Sequence, residues 1–115
     1  MNARPDYRSA EFSFDALAKR IHENARAHGF WEGERNDGEL IALIHSELSE
    51  ALEALRHGNQ LSEHIPPFTG LEEELADVVI RVLDMAQAKG IDLSAAILAK
   101  MRFNEARPYK HGKAF

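Results

Sequence analysis

Leu71-Glu-Glu-Glu-Leu-Ala-Asp77 runs straight into the apolar segment Val78-Val-Ile80. At about 100° per residue, Leu71, Leu75, Val78, Val82 and Met85 fall on one stripe of a helix. Glu74 and Asp77 stand three apart, so their carboxylates point the same way. They lie on the shoulder of the apolar stripe rather than opposite it. A carboxylate at the edge of a core is costly unless its charge is compensated. Two compensators are open here: Arg81, four residues after Asp77, or a metal ion.

Working outward, the rest of the chain also reads as helix. Phe14, Leu17, Ala18, Ile21 and Ala25 recur at helical spacing up to Gly29, predicting a first helix over roughly 13–28. Leu40, Ile41, Ile44, Leu48, Ala51, Leu52 and Leu55 predict a second, with Asp37 as its N-cap and Gly58 as its stop. Pro66-Pro67 forbids a helix in the connector that follows. Thr69 with Glu72 forms a capping-box signature for the third helix, which ends at Gly90. Asp92 caps a fourth, whose Leu93, Ile97 and Met101 are expected to face a core, and Pro108 lies at or just past its end. No run has strand period. The expected class is all-α: one domain over 1–115, with 1–11 a loose arm and 108–115 a basic tail.

Composition narrows the function. The chain has 115 residues, 44% apolar and 29% charged, with net charge −5. It has no cysteine, which removes disulfides, thiolate metal sites and a Cys nucleophile. No apolar run approaches the ~20 residues of a membrane span, and no signal-peptide pattern opens the chain. A cytoplasmic protein is expected. Residues 1–99 carry 9 basic and 18 acidic side chains, whereas Lys100, Arg102, Arg107, Lys110 and Lys113 face Glu105 alone. The basic end is either a solvated tail or the holder of an anionic ligand. A nucleic-acid polymer is not expected, because the broad basic footprint is missing.

The second helix repeats the acidic spacing of the third. Glu47 and Glu50, in Glu47-Leu-Ser-Glu50, share a sector with Leu43 and Ala54 at the border of the apolar face. Glu39, Ser46, Ser49, Glu53 and Arg56 fall on solvent-like sectors, and His45 is expected to be exposed. If the two helices pack antiparallel, four carboxylates converge at their seam and repel one another unless protons or cations intervene. Oxygen-only ligands favour a hard cation, Mg²⁺ with Mn²⁺ as a substitute, over zinc. The chain has no Glu-x-x-His, which argues against a di-iron oxidase. Trp31 either stacks on a base or covers the core near Phe30. Tyr109, Lys110 and His111 either close over a ligand or form a flexible tail.

Glu47-x-x-Glu50 followed by Glu73-Glu-x-x-Asp77 resembles the motif of the MazG-like nucleoside triphosphate pyrophosphohydrolases. These belong to the all-α NTP pyrophosphatase superfamily. The likeness runs from about Phe30 to the C-terminus. It takes in Leu43-Ile-His-Ser-Glu-Leu-Ser-Glu-Ala-Leu-Glu-Ala-Leu-Arg56, Glu72-Glu-Glu-Leu-Ala-Asp-Val-Val-Ile-Arg81, Lys100-Met-Arg-Phe-Asn104 and Arg107-Pro-Tyr-Lys-His-Gly112. The resemblance implies a four-helix fold with Glu47, Glu50, Glu74 and Asp77 on Mg²⁺. It also implies Lys100, Asn104 and Arg107 on the phosphates or sugar of a nucleotide. Those three stand at i, i+4 and i+7, one face of a helix.

The implied reaction splits a nucleoside triphosphate into monophosphate and pyrophosphate. The family often carries a further Glu, which helps activate water, where this chain has Ser46. Either the metal suffices for that task or Glu47 takes the proton. The departure leaves open a non-catalytic helical dimer that binds nucleotide or a protein partner. Leu83 and Ile80 lie off the main stripe and are expected to be exposed in a monomer. A homodimer or dimer of dimers that completes the core is therefore expected, as the resemblance also implies.

Overall fold

In a computed structural model the chain is all-α: α1 (Phe14–Ala27), α2 (Asp37–Arg56), α3 (Gly70–Ala88) and α4 (Leu93–Glu105), then a short 3-10 turn, Tyr109–Gly112. The structure describes residues 13–112 and Ala114. The expected arm over 1–11, and Lys113 of the basic tail, lie outside the described residues.

Local chemistry sets the helix ends. The Ser13 hydroxyl accepts from the Ala16 amide, and the Asp92 side chain accepts from Ala95. Thr69 and Glu72 form the expected capping box. The cap of α2 is Asn36 and not Asp37: Asn36 is extended and its side chain accepts from the Glu39 amide. Asp37 is the first helical residue, and its carboxylate meets Lys89 Nζ at 2.7 Å, tying the start of α2 to the end of α3. Gly58 and Gly90, with φ of 83° and 67°, take the left-handed conformation that closes a helix at little cost in glycine. Between α2 and α3 the connector folds back on itself: Ser62 N donates to Phe68 O, and Gly70 N to Gln60 O, both at 2.8 Å.

α3 packs along both α2 and α1. That arrangement corrects the reading of its faces. Leu83, expected to be exposed, is 1% exposed and the most deeply buried large side chain. A helix with a neighbour on each flank buries two stripes, and a single periodic stripe describes only one of them. Ile80 is exposed as expected, but so is Leu75, which sits beside Ile65 and Phe68 over a shallow depression. Ala18, Leu40, Ala51 and Ala86 complete the buried apolar set.

α4 departs most from expectation. It packs extensively against none of the other helices and contributes no buried residue. Leu93 is half-buried, while Ile97 and Met101, expected to face a core, are exposed, as are Leu98 and Phe103. The radius of gyration is 16.8 Å, against about 13 Å for a compact chain of this size. α2 has an open stripe of its own: Ile41, Leu48, Leu52 and Leu55, spaced as in a helix–helix seam, are all exposed.

Candidate metal centre

Two helices supply the carboxylates. Glu47 and Glu50 come from α2 and meet Glu74 from α3, each offering an oxygen within 4.8 Å of the others; Glu73, Glu74 and Asp77 form a second such group. Glu74 belongs to both: of the four carboxylates expected to converge, Glu47, Glu50 and Glu74 meet across the α2–α3 seam, and Asp77 joins Glu74 in the second group on α3. Glu73 joins them as a fifth. Its two oxygens are engaged elsewhere, one by the Ser62 hydroxyl and one by His64 Nδ1 at 2.7 Å, and these donors hold it below the usual carboxylate range. Ser62 is itself buried and accepts from the amides of His64 and Ile65, so the connector is fastened to α3 through Glu73.

Glu47 is the most enclosed of the set, 8% exposed. Arg81 Nε donates to its Oε1 at 3.0 Å. Arg81 thus pairs across the seam with Glu47, and no hydrogen bond joins it to Asp77, the partner that four-residue spacing suggested. Burial pushes Glu47 up, but Arg81, Glu50 and Glu74 outweigh it and the carboxyl ends below its ordinary value. Glu74 moves the other way: burial, then Glu47 and Glu50, push it up to about 8. Burial and the charges of Glu47 and Glu73 also raise Asp77, with Arg81 offsetting part of the effect. The seam thus favours the charged form of Glu47 and the protonated form of Glu74.

Arg81 reaches only one oxygen of Glu47 and leaves the site incomplete. Glu47 Oε2 and Glu74 Oε2 are buried without a hydrogen-bond partner. A buried carboxylate oxygen in that state costs free energy. All the donors are oxygens, which suits a hard divalent cation. On both counts the residues fit a hard divalent cation.

A cavity of about 320 Å³ opens beside the carboxylates, lined by Glu47, Asp77, Arg81 and Asp84 together with Phe30 and Arg35, among others. This is the lower end of the range for small-molecule sites. Trp31 stands outside the lining. Its indole N–H donates to both oxygens of Asp84, at 3.0 and 3.1 Å, and His22 Nδ1 meets the same carboxylate at 2.7 Å. The Arg35 guanidinium lies 4.9 Å over the Trp31 ring. Asp84, Arg35 and Phe30 were not singled out from sequence. Asp84 had a legible signal, since 74, 77, 81 and 84 continue one helix face; Arg35 and Phe30 had none.

The basic residues of α4 are not brought to this site within one chain. Lys100 Nζ lies 4.4 Å, and the Arg107 guanidinium 5.6 Å, from the Phe103 ring centroid; α4 ends at Glu105, so Arg107 lies past the helix and not on the helical face that its spacing suggested. Neither they nor Asn104 lines the cavity. Lys110 sits 5.7 Å from the centroid of its exposed neighbour Tyr109. His45 is exposed as expected, and the exposed Ser46 hydroxyl donates to Leu43 O of its own helix at 2.6 Å. Among the described residues no helix is long and apolar enough to cross a membrane.

No curated protein and no solved structure matches the chain. The family model of the MazG nucleotide pyrophosphohydrolase domain matches residues 35–107, a span that holds the four expected carboxylates and the whole of α2, α3 and α4. The chain belongs to the MazG nucleotide pyrophosphohydrolase family.

Proposed function

We propose that this protein is a Mg²⁺-dependent pyrophosphohydrolase, with Mn²⁺ as a substitute, acting in the cytoplasm. It cleaves a nucleoside or deoxynucleoside triphosphate between the α- and β-phosphates. The observation that carries this reading is the α2–α3 seam, where Glu47, Glu50 and Glu74 bring carboxylate oxygens within 4.8 Å of one another, Asp77 stands beside Glu74, and two buried oxygens have no partner. Glu47, Glu50, Glu74 and Asp77 are the ligands. A divalent ion held there supplies the positive charge that both the triphosphate and the attacking water require.

Glu47 is the base. It is the most enclosed carboxylate and stays ionised, Arg81 fixes one of its oxygens, and it lines the cavity. Ser46 has no part in the chemistry, because its hydroxyl is exposed and turned back onto α2. Trp31 sets the cavity wall by fixing Asp84 and stacking under Arg35.

Lys100, Asn104 and Arg107, with Lys110 beyond them, meet the phosphates in a homodimer or dimer of dimers. The exposed apolar side chains of α4 and the open stripe of α2 are what a second copy would cover. Charge favours the same arrangement: residues 100–115 are net positive and the rest of the chain is strongly negative. A panel of ribo- and deoxyribonucleoside triphosphates with Mg²⁺ tests the reading. Release of pyrophosphate with the matching monophosphate is expected. Binding of nucleotide without turnover of any of them would contradict it.

A further inference from the structure

Arg81 lines the cavity wall and donates a hydrogen bond to Glu47, a proposed metal ligand. Its Nε is taken by Glu47. Among the described residues the guanidinium has no other hydrogen-bond partner, so both terminal nitrogens are open. The side chain is 38% exposed and lines the cavity. A guanidinium anchored at Nε is a pre-oriented fork, and two parallel N–H donors match two oxygens of a phosphate. The other cation of the wall, Arg35, lies over Trp31 instead. The basic residues of α4 are absent from the cavity of their own chain.

We infer that Arg81 recognises the phosphate bound in this cavity and, in the metal-free protein, competes with the cation for Glu47. The inference rests on the pyrophosphohydrolase reading and adds to it a phosphate-binding residue from the same chain as the carboxylates. Two consequences of opposite sign follow. Arg81 places a positive charge against a carboxylate that the cation needs, so it weakens cation binding. The same charge and fork strengthen binding of the phosphate. A merely structural role for Arg81 would not separate the two.

The test uses the full chain and the variant Arg81→Met, which keeps the stem and removes the charge. Mn²⁺ affinity is measured by electron paramagnetic resonance. At saturating Mn²⁺, affinity for the α,β-methylene analogues of the common deoxynucleoside triphosphates is measured by calorimetry. Expected are Mn²⁺ binding a few-fold tighter and analogue binding roughly ten- to a hundredfold weaker, the range for a lost charge-assisted hydrogen bond.

If Arg81→Met folds poorly, Arg81→Lys replaces it. That variant keeps the point charge without the fork, so it should leave Mn²⁺ binding near wild type and still weaken the analogue. Unchanged analogue affinity, or both affinities falling together, would overturn the inference while leaving the pyrophosphohydrolase reading intact. Wild-type protein that binds none of the analogues would overturn both.

Discussion

The α2–α3 seam and α4 are both helical and both carry charged residues expected to act on one ligand, yet they are built differently. The seam is closed by the chain itself. α3 has a neighbour on each flank, Leu83 is buried, and the carboxylates approach to within 4.8 Å. α4 buries nothing and leaves Ile97, Leu98, Met101 and Phe103 exposed. One region has its carboxylates assembled, with Arg81 on Glu47 and two buried oxygens still without a partner. The other has side chains in register but no surface to act on. On the proposed reading, the metal-binding half of the site belongs to one chain, and the half that meets the phosphates through α4 requires an assembly.

The largest effect that would break this contrast lies in the seam. Glu47→Gln should lower kcat by about 10²–10⁴-fold, the usual worth of a general base, whereas Ser46→Ala should change it little. Steady-state kinetics on both variants decides the matter. A hundredfold loss in Ser46→Ala with cation binding intact would move the proton acceptor to that hydroxyl.

Next in size is the apolar surface. Covering one large apolar side chain is worth about 1.5–3 kcal/mol, so Leu52→Asp and Met101→Asp should each weaken assembly and lower the denaturation midpoint. Light scattering at micromolar concentration reads the outcome. Wild-type chain that is a stable folded monomer there would make α4 a free arm and contradict the assembly proposed to cover it.

Cation binding sharpens the same comparison. A ligand bound only by the folded state stabilises it by about 2.7 kcal/mol at a hundredfold excess over Kd. Tm should rise with Mn²⁺ in the wild type and rise less in Glu50→Gln and Glu74→Gln. The metal-free protein should also respond to pH. Folded Glu74 holds its proton up to about 8, against an ordinary value of 4.5. Across that interval the folded state binds more protons than the unfolded state, so stability should fall as pH rises through it. Denaturant titrations from pH 5 to pH 8 without divalent ions check the sign, and a rise attributable to Glu74 would contradict it.

The smallest effect is expected at Lys89. Its 2.7 Å contact with Asp37 joins α3 to α2 at the rim of the same pair of helices, but both side chains are well exposed. Lys89→Ala should cost about 0–1 kcal/mol. A larger loss of stability would mean that the pairing of α2 and α3 depends on its edge as well as on its buried face.

Much of this was legible in the sequence because it is local. The capping box of Thr69 and Glu72, the cap at Asp92 and the closing Gly58 and Gly90 act within a turn or so of themselves. The acidic pairs could be read because three-residue spacing fixes a helix face regardless of what packs nearby. Arg81 shows where such reasoning ends. Four-residue spacing pointed it at Asp77, but the more buried Glu47 on another helix takes its Nε. Leu83 was misread for a related reason: a wheel shows one stripe, and the second flank of α3 is set by α1. The apolar spacing of α4 is real, but periodicity cannot say whether the surface that meets it lies in the same chain.

On the proposed reading the seam directs water to one phosphorus of a nucleoside triphosphate. Hydrolysis in ¹⁸O-labelled water with Mg²⁺, with the products separated and weighed by mass spectrometry, tests it most directly. Attack at the α-phosphorus puts the label on the nucleoside monophosphate and leaves pyrophosphate unlabelled, which is the result expected. Label in the pyrophosphate would place the attack at the β-phosphorus, and release of orthophosphate with a nucleoside diphosphate would contradict the account.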